Sequence, residues 1–235
     1  MKIHCLASGS AGNSYAVDDG ESVLLLEAGV PARRIASRYL KLLPRVVGCL
    51  ITHEHSDHAS GAAELSGRGI DLYMTAGTQA ALGEFKCPYR IHNVRAQEQF
   101  SVGTWNVLPF DTEHDAAEPV GFLIVSTVTH EKLLFATDTY YIKYRFSGVN
   151  IFMVECNYSL KVLRENIEAG RVPENQKKRL LHSHFSLEHV IEFFQQTDLS
   201  AAQKIYLLHA SDHNSNVKLF KQEVQRATGI PTEVL

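Results

Sequence analysis

Apolar residues in this chain come in short blocks broken by glycines and small polar residues, and the spacing within each block separates strands from helices. Residues 3–7 and 15–17 read as strands on either side of the turn Ser8-Gly9-Ser10-Ala11-Gly12-Asn13, and residues 22–26 as a third. A helix is expected after Pro31, with Ile35, Leu40 and Leu43 on one face. The run Val46-Val47-Gly48-Cys49-Leu50-Ile51 lacks polar alternation, as does a strand buried on both faces. Further along, the pattern predicts a strand at 71–74, a helix at 78–85, strands at 105–110, 120–128 and 132–136, and another buried strand at 151–154. The last third is mostly helical, with helices at 159–169, 174–181 and 186–196. Ser186 is the expected N-cap of the third, and Leu187, Val190, Ile191 and Phe194 its buried face. A strand at 205–208 and a helix ending at Gly229 complete the pattern. Strands interleaved with helices, with no internal repeat and no low-complexity linker, predict an α/β fold forming one domain over residues 1–235.

Composition changes this picture little. The 235 residues are 45% apolar and 21% charged, as in an ordinary globular protein. A net charge of −3 excludes a global positive field, so nucleic acid would need a local basic patch. The first residues lack the apolar run of a secretory signal, and no stretch approaches membrane-spanning length. Cys5, Cys49, Cys87 and Cys156 are scattered, with no CxxC pair. The expectation is a cytoplasmic protein with reduced thiols and no membrane partner. Histidine is the exception: there are twelve, about twice the usual number, and they cluster near the ends of apolar runs.

The chemistry centres on His53-Glu54-His55-Ser56-Asp57-His58, directly after the buried strand. In an extended segment residues 53 and 55 point the same way, so two imidazoles reach one metal. Asp57 and His58, at the turn into a helix, reach a second. Imidazole with a few carboxylates suits Zn²⁺ and tolerates Mn²⁺ or Fe. Two metals need more ligands, and His114, Asp138 and His209 each follow an apolar strand, where open sheets place their sites.

His-x-His-x-Asp-His, then His, Asp and His each after a strand, resembles the metallo-β-lactamase superfamily over essentially the whole chain. The resemblance implies a four-layer αββα sandwich and a hydrolase that works through a hydroxide held between two metals. It places His53, His55 and His114 on one metal, Asp57, His58 and His209 on the other, and Asp138 on both. The segments Leu6 to Ser14, His114-Asp115-Ala116-Ala117-Glu118-Pro119 and His209-Ala210-Ser211 resemble the small bacterial YycJ/WalJ-type members, a group associated with exonuclease action on DNA. The start segment lacks the Gly-Lys-Ser/Thr of a P-loop and reads as a tight turn in preference to a substrate contact. By resemblance to the superfamily's nucleases, Glu155 orients His184, and His184 protonates the departing oxygen. A helix-capping or solvated role fits His184 equally well, and His182 is an alternative donor. Many relatives have Asp where this chain has Glu27, which reads as support for a ligand and not as catalytic.

A basic stretch, Lys161, Arg164, Arg171, Lys177, Lys178 and Arg179, either tracks a phosphate backbone or forms a solvated helix face. The leading expectation is a metal-dependent phosphodiesterase, an exonuclease acting on DNA. The alternatives are a hydrolase of a small phosphodiester, thioester or lactone on the same metals, and a binding protein on a retained fold.

Overall fold

A computed structural model of the chain describes residues 1–171, 181–211 and 214–235. Its strands fall into two sheets, of six and seven strands, with helices around them. The chain divides into two compact units: Met1–Asp111 with Ala116–Glu131, and Thr112–Asp115 with Lys132–Leu235.

The first unit holds the six-stranded sheet. β1 (Lys2–Ala7), β2 (Ser14–Asp18), β3 (Val23–Leu26), β4 (Val46–Leu50), β5 (Leu72–Thr75) and β6 (Ile91–Val94) lie in sequence order. β1 to β3 pair antiparallel through tight turns. From β3 to β6 pairing is parallel, which requires crossovers. These are supplied by α1 (Ala32–Arg38), by α2 (Ser56–Ala59) with α3 (Ala62–Gly67), and by α4 (Ala76–Leu82). Val23 and Leu25, Cys49 and Ile51, and Leu72 and Met74 occupy alternate positions of neighbouring strands and pack with Ile35, Tyr39, Ala62 and Leu65. β3 is buried throughout, which is why its sequence shows no alternation. The same unit contains an antiparallel run, β7 (Phe100–Val102), β8 (Trp105–Asp111) and β9 (Val120–Ser126).

The helix after Pro31 is shorter than the pattern implied. It ends at Arg38, and Leu40 is 68% exposed. Tyr39 takes the inward place instead, its hydroxyl donating to the His4 and Ser14 carbonyls at 3.2 Å. A side chain that satisfies its polar end while burying its ring outcompetes a leucine one position on.

The second unit is built on four parallel strands, β10 (Lys132–Ala136), β11 (Ile151–Glu155), β12 (Lys204–Leu208) and β13 (Thr232–Val234), adjacent in that order. Among the described residues it carries the helices α5 (Leu160–Glu168), α6 (Leu187–Gln195) and α7 (Val217–Thr228). Ser186 caps α6 by accepting the His189 N–H, and Leu187, Val190 and Phe194 are buried as expected. Phe193, not Ile191, completes the buried face. Gly229, at φ 72°, closes α7 in the left-handed conformation that glycine adopts without strain. The helix expected at 174–181 falls almost wholly outside the described residues; 181–183 are helical. Short strands β6, β7 and β13 had no clear signature in the sequence. Among the described residues no helix is long and apolar enough to cross a membrane.

Candidate active site

In the first unit the ligand run leaves β4 in extended form and enters α2 at Ser56. Three imidazoles gather there: the His53 ring lies 4.7 Å from that of His55 and 4.2 Å from that of His58. Thr52 Oγ1 lies 2.8 Å from His53 Nδ1 and holds that ring. Asp57 Oδ2 lies 3.3 Å from His58 Nε2. Glu54, between the two ligand candidates, turns the other way, and its Oε1 accepts the Ala117 N–H at 2.8 Å.

Two turns clamp this run. Asn13 N–H donates to the Asp57 carbonyl at 2.7 Å, Ala28 N–H to the His58 carbonyl at 2.8 Å, and Gly29 N–H to the Asn13 carbonyl at 2.9 Å. The approach is so close that a Cβ on Gly29 would sit 1.6 Å from the Asp57 carbonyl oxygen. The fully buried Asn13 side chain also reaches inward, with Nδ2 3.2 Å from His58 Nε2 and 3.2 Å from the Asp57 carbonyl. On the other side of the His58 ring, Glu27 Oε2 lies 3.5 Å from Nδ1. Glu27 is buried, sits at φ 64°, and also accepts the Thr52 N–H. Burial pushes its carboxyl above the usual carboxylate range, against the pull of His58. The turn expected at residues 8–13 is therefore a turn, and through Asn13 it holds the backbone of Asp57 and touches the ring of His58.

In the second unit the candidates stand at the carboxyl ends of parallel strands. Register pairs Ala136 with Val154 and Glu155 with Leu208, so the residues just beyond β10, β11 and β12 converge. Asp138 and His209 both take positive φ, 41° and 54°, a conformation that Asp and His tolerate better than most residues and that concentrates at functional sites. His114 Nε2 lies 3.6 Å from Asp138 Oδ2, and His209 Nε2 lies 3.8 Å from Asp138 Oδ1. The Ser183 carbonyl, 2.8 Å from His114 Nδ1, sets the ring of His114. Glu155 is the hub. Its Oε1 is 2.7 Å from His184 Nδ1, and its Oε2 accepts the N–H groups of Thr139 and Phe185 at 3.0 and 3.1 Å. The His184 ring stacks on that of His209, 5.6 Å away and 12° from parallel. Burial works against charge on His184, but the neighbouring Glu155 carboxylate more than offsets it and lifts the pKa to about 9. His182 is exposed, and its ring meets the edge of Tyr140.

Residues 23–210 match the family model for the β-lactamase superfamily domain. The chain is 30% identical over 233 residues to the exodeoxyribonuclease WalJ of Streptococcus pneumoniae, covering 93% of this chain and 84% of that protein. It is 30% identical over 246 residues to the exodeoxyribonuclease YycJ of Bacillus anthracis, covering 96% and 89%. The metallo-β-lactamase fold protein YhfI of Bacillus subtilis superposes with a TM-score of 0.72 over 99% of this chain and 95% of its own, at 13% identity.

The chain belongs to the metallo-β-lactamase superfamily.

The fold expected from the motif pattern is thus the fold observed, and the chain is a metal-dependent hydrolase of that superfamily. The donor chemistry fits divalent cations. Burial lowers the pKa of His114, so its imidazole is neutral and able to ligate near neutral pH. Within the second unit, one ligand atom from each of Asp138, Glu155, His184 and His209 lies within 4.8 Å of the others. Each predicted ligand thus sits beside another within its own unit: His53, His55, Asp57 and His58 in the first, His114, Asp138 and His209 in the second.

The basic stretch divides. Lys161 and Arg164 are exposed on α5, and Arg171 donates from Nε to the Asn166 side chain at 2.8 Å. Lys177, Lys178 and Arg179 lie outside the described residues. Sequence reasoning missed Asn157, whose Nδ2 lies 2.9 Å from both His209 Nδ1 and the His209 carbonyl. Its only signal is a polar residue two positions past the Glu155 strand end. Asn13 was seen only as a turn residue, and its second role depends on a partner 45 positions away.

Proposed function

We propose that this protein is an exonuclease that hydrolyses phosphodiester bonds of DNA in the cytoplasm, with two divalent cations, Zn²⁺ or Mn²⁺, as cofactors and the whole chain acting as one catalytic domain. By the family pattern, His53, His55, Asp57 and His58 in the first unit and His114, Asp138 and His209 in the second are the residues that would hold the cations. Bound cations of this kind activate water near neutral pH and offset charge on phosphate oxygens. The relatives named as exodeoxyribonucleases support the substrate class, and four free cysteines fit a reducing compartment.

The observation that carries the reading is the 2.7 Å contact between His184 Nδ1 and Glu155 Oε1. A sugar alkoxide is a poor leaving group and needs a proton. Glu155 fixes the ring and favours its charged form, so His184 Nε2 donates that proton to the departing oxygen. Glu155 itself stays anchored by two backbone N–H groups and acts through His184. His182 is exposed and, among the described residues, stands against Tyr140 and not a carboxylate, which favours His184 as the donor.

The test is digestion of end-labelled duplex DNA by protein loaded with Mn²⁺ or Zn²⁺. Shortening from an end is expected, with His55→Ala inactive and His184→Ala slowed roughly 10²- to 10⁴-fold. Survival of all nucleic acids, with His55-dependent hydrolysis of an activated small phosphodiester or thioester, would keep the metal site and replace the substrate. If His184→Ala costs a bound cation and no other activity, His184 is a ligand and not the acid.

A further inference from the structure

Directly after Asp138 the chain reads Thr139-Tyr140-Tyr141-Ile142-Lys143-Tyr144-Arg145-Phe146, four aromatic rings interleaved with two cations. This segment joins β10 to β11 within the second unit without forming helix or strand. Its backbone is nevertheless pinned. Thr139 N–H donates to Glu155, Thr139 Oγ1 donates to the Tyr141 carbonyl at 2.8 Å, and Tyr140 N–H donates to the Glu113 carbonyl at 3.2 Å. Ile142 is the buried anchor, only 1% exposed.

The rings do not follow it inward. Tyr141 is 46% exposed, and Tyr140, Tyr144 and Phe146 are half-buried. Tyr144 and Phe146 lie 6.3 Å apart at a tilt, Lys143 Nζ stands 5.4 Å from the Tyr144 ring, and Tyr140 meets exposed His182 edge-on. The cations stand at the surface. Lys143 pairs with Glu113 at 3.7 Å, with both side chains more than 40% exposed, and Arg145 bonds the exposed Gln196 side chain. Surface contacts of this kind are worth little and exchange readily for a phosphate. The crevice beside Tyr141, lined by Ile142, Arg145, His189 and Phe193, offers only about 10 Å³, too little to admit a base, which leaves the exposed ring faces as the surface a base meets here.

This alternation of half-exposed rings and surface cations on a pinned loop suits single-stranded nucleic acid: its bases present unpaired faces to stack on, and its phosphates take the interleaved cations. Paired bases in a duplex hide those faces.

We propose that residues 140–146 form a binding track for single-stranded DNA, with bases stacked on Tyr141 and Tyr144 and phosphates met by Lys143 and Arg145, leading a strand end to Asp138 and His184. This rests on the nuclease reading above. It also makes the working substrate a single strand, or the frayed end of a duplex.

The test is anisotropy of a fluorescein-labelled phosphorothioate oligo-dT, which resists cleavage, with the metal-loaded full chain. Tyr141→Ala and Tyr144→Ala are each expected to weaken binding about 5- to 100-fold, while Tyr141→Phe, which keeps the ring, stays within about twofold. Lys143→Ala and Arg145→Ala should each reduce the slope of log Kd against log salt by about 0.7. Unchanged binding by both tyrosine variants overturns the track. If such variants still digest DNA with the parent's KM, the nuclease reading survives and the track alone fails. Loop-dependent oligo-dT binding by a protein that cuts no nucleic acid supports the track and removes the nuclease reading. Binding of oligo-rU about tenfold tighter than oligo-dT overturns the assignment to DNA.

Discussion

The two units present their candidate ligands on opposite structural principles. In the first, four of them occupy one six-residue run, and its geometry is imposed from outside by the backbone of two turns, at Asn13 and at Ala28-Gly29. In the second, the ligands come from separate strand ends, and one buried carboxylate, Glu155, ties the surrounding loops together. A clamp made of main-chain contacts tolerates almost no added volume, because backbone cannot rotate aside. A hub made of one side chain tolerates volume better than loss of charge or of acceptors. The two halves should therefore fail in different ways.

The largest effect is expected from Gly29→Ala, which drives a methyl into the Asp57 carbonyl. It should cost about 3 kcal/mol or more, above the usual range for overpacking because the obstacle is backbone. Urea unfolding measures it, and a variant as stable as the parent would break the comparison. Next is Glu155→Ala, which strands the buried N–H groups of Thr139 and Phe185. A loss of roughly 2–4 kcal/mol is expected from two orphaned donors, with Glu155→Gln recovering part of it through its one remaining acceptor oxygen. Equal stability of the Ala and Gln variants would show that the hub works by charge alone.

Asn13→Ala should be milder for the fold and felt most at the metal. It removes the side-chain contacts to His58, to the Asp57 carbonyl and within its own turn, but keeps the Asn13 main-chain bond to Asp57. Metal affinity is expected to fall roughly 10- to 100-fold, as for other groups that orient a ligand. Competition with a chromogenic chelator reads this directly, and unchanged affinity would reduce Asn13 to a turn residue.

The smallest effect is a control in the first unit that involves neither ligand set. Asp18 accepts both guanidinium nitrogens of Arg45 at 2.6 and 2.7 Å, and that hydrogen bond with Arg45, against the penalty of burial, holds its carboxyl below the usual range. A depressed folded value means that the stabilisation is present above the unfolded pKa and lost as pH falls through the folded one. Asp18→Asn should therefore cost about 1 kcal/mol at pH 7 and flatten the loss of stability below about pH 4. Metal content should not change. If it does, the clamp extends further than the two turns.

Much of this protein was legible without coordinates. The strand after Arg45, buried from Gly48 onward with Val46 and Val47 only half-buried, the ligand run behind it, the capped helix after Ser186 and the end at Gly229 are all local, since periodicity, capping and left-handed glycine act over a few residues. The ligand candidates His114, Asp138 and His209 were legible only as a type, a metal-binding residue after an apolar strand, and it took the family pattern to join them. What tertiary structure alone decided is who stands beside whom. Asn13 against His58, Asn157 against His209, and Glu155 against His184 depend on strand register and on backbones approaching within hydrogen-bond distance across dozens of residues. The aromatic loop after Asp138 follows the same rule: rings alternating with cations fit a core edge as well as a surface, and only the burial of Ile142 with its neighbouring rings left half in water marks it as a surface. Local chemistry writes the elements and the motif into the chain, whereas the partners of each side chain exist only once sheets have paired and turns have closed.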